Sequence, residues 1–261
     1  MKQTFQHQIS KGTRFNQIYI PKDMNEIFQV GDLVEITLLK KHIQLHYSKN
    51  LKKISKFKEN LIKDIFFFLS KYKEINQIFI FGSFLTEEID YNDIDILLLS
   101  NKEIEEEIHK KLIKNIKLKF HIISTKKEKL NETLKICPLT RSMFYYFISN
   151  KPFTVRRDIR IEKNHIRYLL MLPEDLLKVE LESKTYYDSL RRLISIEYFL
   201  KGKEIAPNKI DIILKDLINK QKLEFLKNNE ILDSDIIGEV KKIIKIKLNI
   251  IYKLLENGKK R

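Results

Sequence analysis

Apolar positions follow two different periods along the chain. Residues 1–47 alternate short β-prone runs (TFQHQIS, FNQIYIP, VGDLVEITLL and HIQLHY) with turn residues such as KGT, which predicts a small β unit. Within it KDMNEIFQ follows Pro21 and has room for little more than a turn and a half of helix. The period then changes: residues 48–76 place apolar side chains at 51, 54, 57, 61, 65, 68 and 72, which predicts a long basic helix with one apolar face. QIFIFGS reads as a strand that breaks at Gly82, FLTEEIDYN as a loop with a helical start, and DIDILLLS as a second, fully buried strand. KEIEEEIHKKLIKNI is a helix whose acidic first half and basic second half suit its dipole, and LKFHIIS is a third strand.

From about residue 136 the pattern is mostly helical, through TRSMFYYFIS, VRRDIRIEKNHIRYLLM and PEDLLKVELESKTYYDSLRRLISIEYFLKG, with Pro173 as a helix start and Gly202 as a stop. Two further amphipathic segments around 208–227 and 234–256 complete a small bundle. The expected fold class is α/β (α+β). Its parts are a β domain at 1–47, a mixed sheet with flanking helices at 48–135 and a helical C-terminal domain at 136–261.

Composition supports an ordered, multi-domain chain: of 261 residues 43% are hydrophobic and 33% charged, with only 6 Gly and 5 Pro. No apolar run approaches the roughly 18 residues of a membrane span, and the first residues lack a cationic segment followed by an apolar core. A cytoplasmic protein without a membrane partner is therefore expected. The single cysteine, Cys137, reads as a buried thiol. A formal net charge of +15 suits a polyanionic partner, either nucleic acid (RNA or DNA) or nucleotide phosphates, but lysines spaced along solvated helix faces would give the same total. The arginines are less evenly spread. Arg141, Arg156, Arg157, Arg160, Arg167, Arg191 and Arg192 lie within 141–192, so that segment is expected to face phosphate. Tyr186, Tyr187 and Tyr198 fit either a core stripe or base stacking.

One stretch carries chemistry. In IFIFGSFLTEEIDYNDIDILLLS, Asp93 and Asp95 share one face of a strand by period-two alternation, while Ile94 and Ile96 point the other way. Two carboxylates held together in an apolar strand repel each other and lose hydration, so a divalent cation between them is expected. Mg²⁺ suits such a pair, because it takes its other ligands from water and substrate phosphates. Gly82 lets backbone approach a phosphate, to which Ser83 offers a backbone N–H and a hydroxyl.

Gly82-Ser83 on one strand and Asp93-x-Asp95 on the next, ten residues after the serine, resemble the DNA polymerase β-like nucleotidyltransferase superfamily, especially its minimal branch. The resemblance covers roughly residues 55–125. It implies a Mg²⁺-dependent enzyme that transfers a nucleoside monophosphate from a nucleoside triphosphate, ATP being the expected donor, to an acceptor hydroxyl. Asp93 and Asp95 would be the catalytic and metal-binding residues, with Gly82, Ser83 and His121 binding the nucleotide; Lys119, which stands where relatives carry an acid, is expected to join them by neutralising the triphosphate.

Members of that superfamily usually carry a third carboxylate on the following strand. Here alternation puts Lys117, Lys119 and His121 on one face of that strand, with no acid among them. His121 is open to two readings, a metal ligand or base and a hydrogen-bonded structural residue. The second reading of the whole chain is a nucleotidyltransferase fold that has lost catalysis and serves as a nucleotide sensor or DNA-binding regulator, such as a toxin–antitoxin component.

IYIPKDMNEIFQVGDLVEI resembles the AbrB-like swapped-hairpin domain, through Ile20-Pro21, Gly31-Asp32 and the strand 33–38. That resemblance implies an intertwined homodimer, with dimerisation as the expected role and DNA binding as the alternative. YYDSLRRLISIEYFLKG is similar to the HEPN-like or substrate-binding helices that accompany minimal nucleotidyltransferases.

Overall fold

The structure is a computed structural model that describes residues 5–37, 42–86, 93–231 and 233–257. Two compact units divide the chain after His42. In the first, Gly12 N–H donates to Phe15 O across a tight turn that joins β1 (Ser10–Lys11) to β2 (Asn16–Gln17). Pro21 then starts a single 3-10 turn, Lys22–Met24, shorter than the helix the sequence suggested. The Gln29–Asp32 turn closes on the Asp32 carboxylate, which accepts from Gln29 N–H at 2.7 Å. Residues 33–37 carry no strand pairing, although the alternation there predicts a strand, and Leu38 lies outside the described residues. A strand needs a hydrogen-bonded neighbour, and among the described residues of this unit only β1 and β2 supply that to each other. Val30 and Leu33 are fully exposed.

The second unit begins earlier than the 47/48 division suggests. Residues expected to finish the N-terminal β unit instead form β3 (His46–Tyr47), which joins the main sheet. Next come α1 (Lys56–Leu69), β4 (Ile75–Phe81), β5 (Ile94–Ser100), α2 (Glu105–Ile116) and β6 (Phe120–Thr125). They are followed by α3 (Lys127–Ile136), α4 (Pro138–Met143) and β7 (Ile148–Ser149). The sheet order is β3-β7-β4-β5-β6, antiparallel except for the parallel β5–β6 pair. The expected succession of helix, strand, strand, helix, strand is therefore present, and the fold is mixed α/β.

Two further differences concern α1 and β7. Helix α1 starts late because Ser55 caps it, its side chain accepting from Lys58 N–H at 3.3 Å. The buried face becomes Ile62, Ile65, Phe66 and Leu69, while Phe57, placed by periodicity on the apolar face, is exposed. The other difference is β7: the segment TRSMFYYFIS forms only the short α4 before its end enters the sheet, where Ile148 pairs with both Tyr47 and Ile80. The sheet thus extends past residue 135 into the segment expected to be helical.

Alternation sorts the sheet's side chains into two cores. Ile78, Ile80, Ile94, Ile96, Leu98 and Ile148 pack with α1 and α2. Phe79, Phe81, Leu97 and Leu99 face Leu130 and Leu134 of α3 together with Phe144 and Phe147. Asp95 belongs to this second face by register, opposite Phe81 on β4 and beside His121 on β6.

A third core fills the helical bundle of α5 (Lys163–Asp175), α6 (Ser183–Leu200), α7 (Pro207–Ile218), α8 (Lys220–Lys227) and α9 (Ser234–Asn257). Tyr186 and Tyr187 are buried in it, and Cys137 is a buried free thiol. Pro173 does not start a helix; it lies inside α5. A proline there removes the N–H that would serve the carbonyl four residues back, and Arg192 Nη1 donates to that carbonyl, Leu169 O, at 3.2 Å. Gly202 stops α6 as expected: at φ +66° it donates to Phe199 O while Lys203 N–H donates to Tyr198 O, a Schellman ending. The segment 208–227 is broken at Asn219, whose side chain caps α8 by accepting from Lys222 N–H. No helix among the described residues is long and apolar enough to cross a membrane.

Candidate active site

The end of β4 supplies the turn and the start of β5 supplies the acids. Gly82 takes φ +83° and ψ −164°, a conformation open essentially to glycine alone. Its missing side chain matters as much as its backbone, since a Cβ built there would fall 2.0 Å from Asp95 Oδ2. The Asp95 carboxylate occupies the space the glycine vacates. Ser83, exposed, opens a 3-10 turn that Thr86 closes through both its N–H and its hydroxyl to Ser83 O. Lys58 on α1 braces that turn: its ammonium donates to Thr86 O at 2.8 Å and lies over the Phe84 ring. Nothing in the sequence pointed to Lys58, which is 28 residues away and sits one position off the expected apolar stripe.

Asp95 is held from the other side by His121, whose Nδ1–H donates to Oδ1 at 3.0 Å. This pairing follows from parallel register, which sets residue 95 beside residue 121. Burial pushes the Asp95 carboxyl above the usual carboxylate range; the His121 hydrogen bond opposes that shift and the Asp93 charge reinforces it. His121 is thus hydrogen-bonded to the carboxylate and orients it.

Asp93 stands just before β5 begins, where Ile94 N–H donates to Lys119 O at 3.0 Å. A cavity of about 450 Å³ opens there, lined by Asp93, Lys119, Phe120, His109 and Ile113. His109 ties α2 to this rim, its Nε2–H donating to Phe120 O at 3.1 Å. The face expected to carry Lys117, Lys119 and His121 is only partly a strand. Lys117 is the left-handed cap of α2 at φ +58°, Lys119 precedes β6, and His121 lies within it. Residues 87–92, the rest of the loop between Ser83 and Asp93, lie outside the described residues.

Among the described residues the site brings together two carboxylates, Asp93 and Asp95, and the Asp93 charge acts on Asp95. Among the described residues no group of three or more His, Cys, Asp or Glu side chains converges on a metal position. Two carboxylates fit Mg²⁺, which binds through one or two of them and completes its shell with water and substrate phosphates, better than they fit a metal that needs a full protein cage.

Another cavity, about 700 Å³, lies elsewhere in the second unit and shares no lining residue with the Gly82–Asp95 site. It is lined in part by Arg141, Arg156 and Arg157 from the arginine-rich segment, and also by Tyr47, Lys49 and Lys203, which the sequence did not single out.

No curated protein matches the chain significantly. The model of the nucleotidyltransferase domain family matches residues 60–145. That span holds the Gly82–Ser83 turn, both aspartates and His121, and the match supports nucleotidyl transfer as the general chemistry, with a nucleotide as substrate.

Proposed function

We propose that the protein is a Mg²⁺-dependent nucleotidyltransferase that uses a nucleoside triphosphate, with ATP as the expected donor. One observation carries this reading: the Asp95 carboxylate is seated in the space left by Gly82, at the turn that leads into Ser83, with Asp93 two residues before it. Gly82 and Ser83 present backbone and hydroxyl to the triphosphate. His121 fixes the rotamer of Asp95, and Asp93 and Asp95 hold the cation. When bound, Mg²⁺ neutralises charge on the phosphate oxygens during in-line displacement of pyrophosphate by an acceptor hydroxyl. Lys119, beside Asp93 on the cavity rim, adds positive charge near the phosphates.

Nucleotide affinity measured with and without Mg²⁺ tests the reading. Binding is expected to need the metal and to weaken severalfold or more in Asp93→Asn and Asp95→Asn. Equal affinity with and without Mg²⁺ would refute it. Incubation with α-labelled nucleotides, Mg²⁺ and cell extract then identifies the acceptor by the species that gains label.

The alternative, a fold that has lost catalysis, is favoured by Lys119 and His121 on the third-strand segment, where the resemblance leads one to expect an acid. Lys119→Glu separates the two. In a working two-acid site it weakens nucleotide binding and slows transfer; in a degraded site it restores a ligand and base, and a base alone contributes about 100- to 10,000-fold.

The N-terminal unit is assigned as a dimerisation module, with DNA binding as its alternative. The exposed Val30, Leu33 and Ile36 support this, because a small unit that exposes its apolar residues gains by burying them against a second copy.

A further inference from the structure

The 700 Å³ cavity is strongly cationic. Lys49, Arg141, Arg156, Arg157 and Lys203 line it against one acid, Glu204. Arg141 is built into the wall: its side chain is nearly buried, and Nη1 and Nη2 donate to Leu134 O at 3.2 Å and Arg156 O at 2.9 Å, with Glu204 3.5 Å away. Among the described residues no carboxylate lies within ion-pair range of Arg156, Arg157, Lys49 or Lys203, and all four residues are exposed. Tyr47 and Tyr145 add aromatic surface. A neighbouring cavity of about 450 Å³ shares Arg141, Arg157, Phe199, Lys203 and Glu204 with the first, so the basic surface extends beyond one concavity.

A basic groove with aromatic faces is the arrangement that binds single-stranded nucleic acid: cations follow the backbone and rings stack on bases of any sequence. A mononucleotide site would bury most of one ligand and carry a few polar groups placed for its base. We infer that this groove binds single-stranded nucleic acid. Only the further step, that the strand's terminal hydroxyl is the acceptor, rests on the proposed transferase reading. Strand binding itself needs neither Asp93 nor Asp95, because the cavities share no lining residue with them.

The test uses the full chain in EDTA, with fluorescence anisotropy of a labelled single-stranded oligonucleotide of about 12 nucleotides, within the usual site size. The wild type is expected to bind RNA or DNA strands. Arg156→Glu/Arg157→Glu is expected to weaken binding tenfold or more and to lower the salt slope by about 1.4, at roughly 0.7 per lost contact to a single strand. Arg167→Glu, a single reversal at an exposed position on α5 outside both cavities, is expected to change affinity less than twofold. Tyr47→Leu is expected to weaken binding about fivefold. Circular dichroism and Mg²⁺-dependent nucleotide binding, unchanged in each variant, show that the fold and the Asp93–Asp95 site survive.

Three results overturn the inference. They are no strand binding by the wild type, equal binding by the double variant, and displacement of the strand by stoichiometric free ATP in EDTA, which would make the groove a mononucleotide pocket. Strand binding in a protein that fails to bind nucleotide with Mg²⁺ would sink the transferase reading and leave this one standing.

Discussion

At Gly82 two requirements coincide, a backbone conformation that side chains avoid and a carboxylate pressed against the α-carbon. Alanine there must strain the backbone by about 1–3 kcal/mol and displace the Asp95 carboxylate. Gly82→Ala is expected to lower the denaturant midpoint accordingly and to abolish Mg²⁺-dependent nucleotide binding; wild-type affinity in a folded variant would show that Asp95 does not need this seat. Asp95 itself is destabilising when ionised without a cation. Its carboxyl is held above the ordinary range by burial and by Asp93, so the folded state binds its proton more tightly than the unfolded state does. Stability is therefore lost as pH rises from the ordinary carboxylate value, about 4, through the raised one. Asp95→Asn removes that loss. In EDTA at pH 7 it is expected to melt about 1–4 °C above wild type, with the gap narrowing as pH falls through the raised range of the Asp95 carboxyl. An equal or lower melting temperature would mean that the His121 hydrogen bond outweighs the burial.

Helix α5 shows how one element repairs a defect in another. Pro173 leaves Leu169 O without its helical donor, and Arg192 of α6 supplies one. Arg192→Ala is expected to cost about 1–2 kcal/mol by leaving that carbonyl unserved. In a Pro173→Ala background the cost should fall, since the restored N–H reaches Leu169 O. A double-mutant cycle by urea denaturation measures this, and simple additivity would refute the pairing. The sequence could not locate this helix start. Pro173 reads equally as a first-turn residue and as an interior break, and the deciding contact comes from a residue 19 positions later. In α1, by contrast, a local signal was present but outweighed: Ser55 caps the helix while the apolar periodicity continues upstream of it to Leu51 and Ile54.

Removal of residues 1–42 tests the assignment of the two units. The second unit keeps its sheet, because β3 begins at His46. The truncated protein is expected to remain folded and to bind nucleotide nearly as well, while light scattering shows the dimer become a monomer. A full-length monomer would remove the dimerisation assignment. The charge of +15 also finds a local expression, since five cations line one concavity against a single acid. Net charge alone did not say where, because most of the lysines lie spread along helix faces.

The sequence by itself determined the elements around the candidate site. A fully apolar strand is buried on both faces, an abrupt Gly-Ser ends a strand, and two aspartates at i and i+2 share a side. These are local facts that hold in any fold placing the strands together, so Gly82, Ser83, Asp93 and Asp95 were legible. Tertiary structure decided what depends on neighbours distant in the chain. It gave His46–Tyr47 to the main sheet because Ile148–Ser149 offered an edge. It also placed His121 on Asp95 through parallel register, braced the turn with Lys58, and gathered Lys49, Arg141, Arg156, Arg157 and Lys203 around one cavity. Each of these contacts joins residues whose separation in sequence carries no periodic signal, so only packing could bring them together.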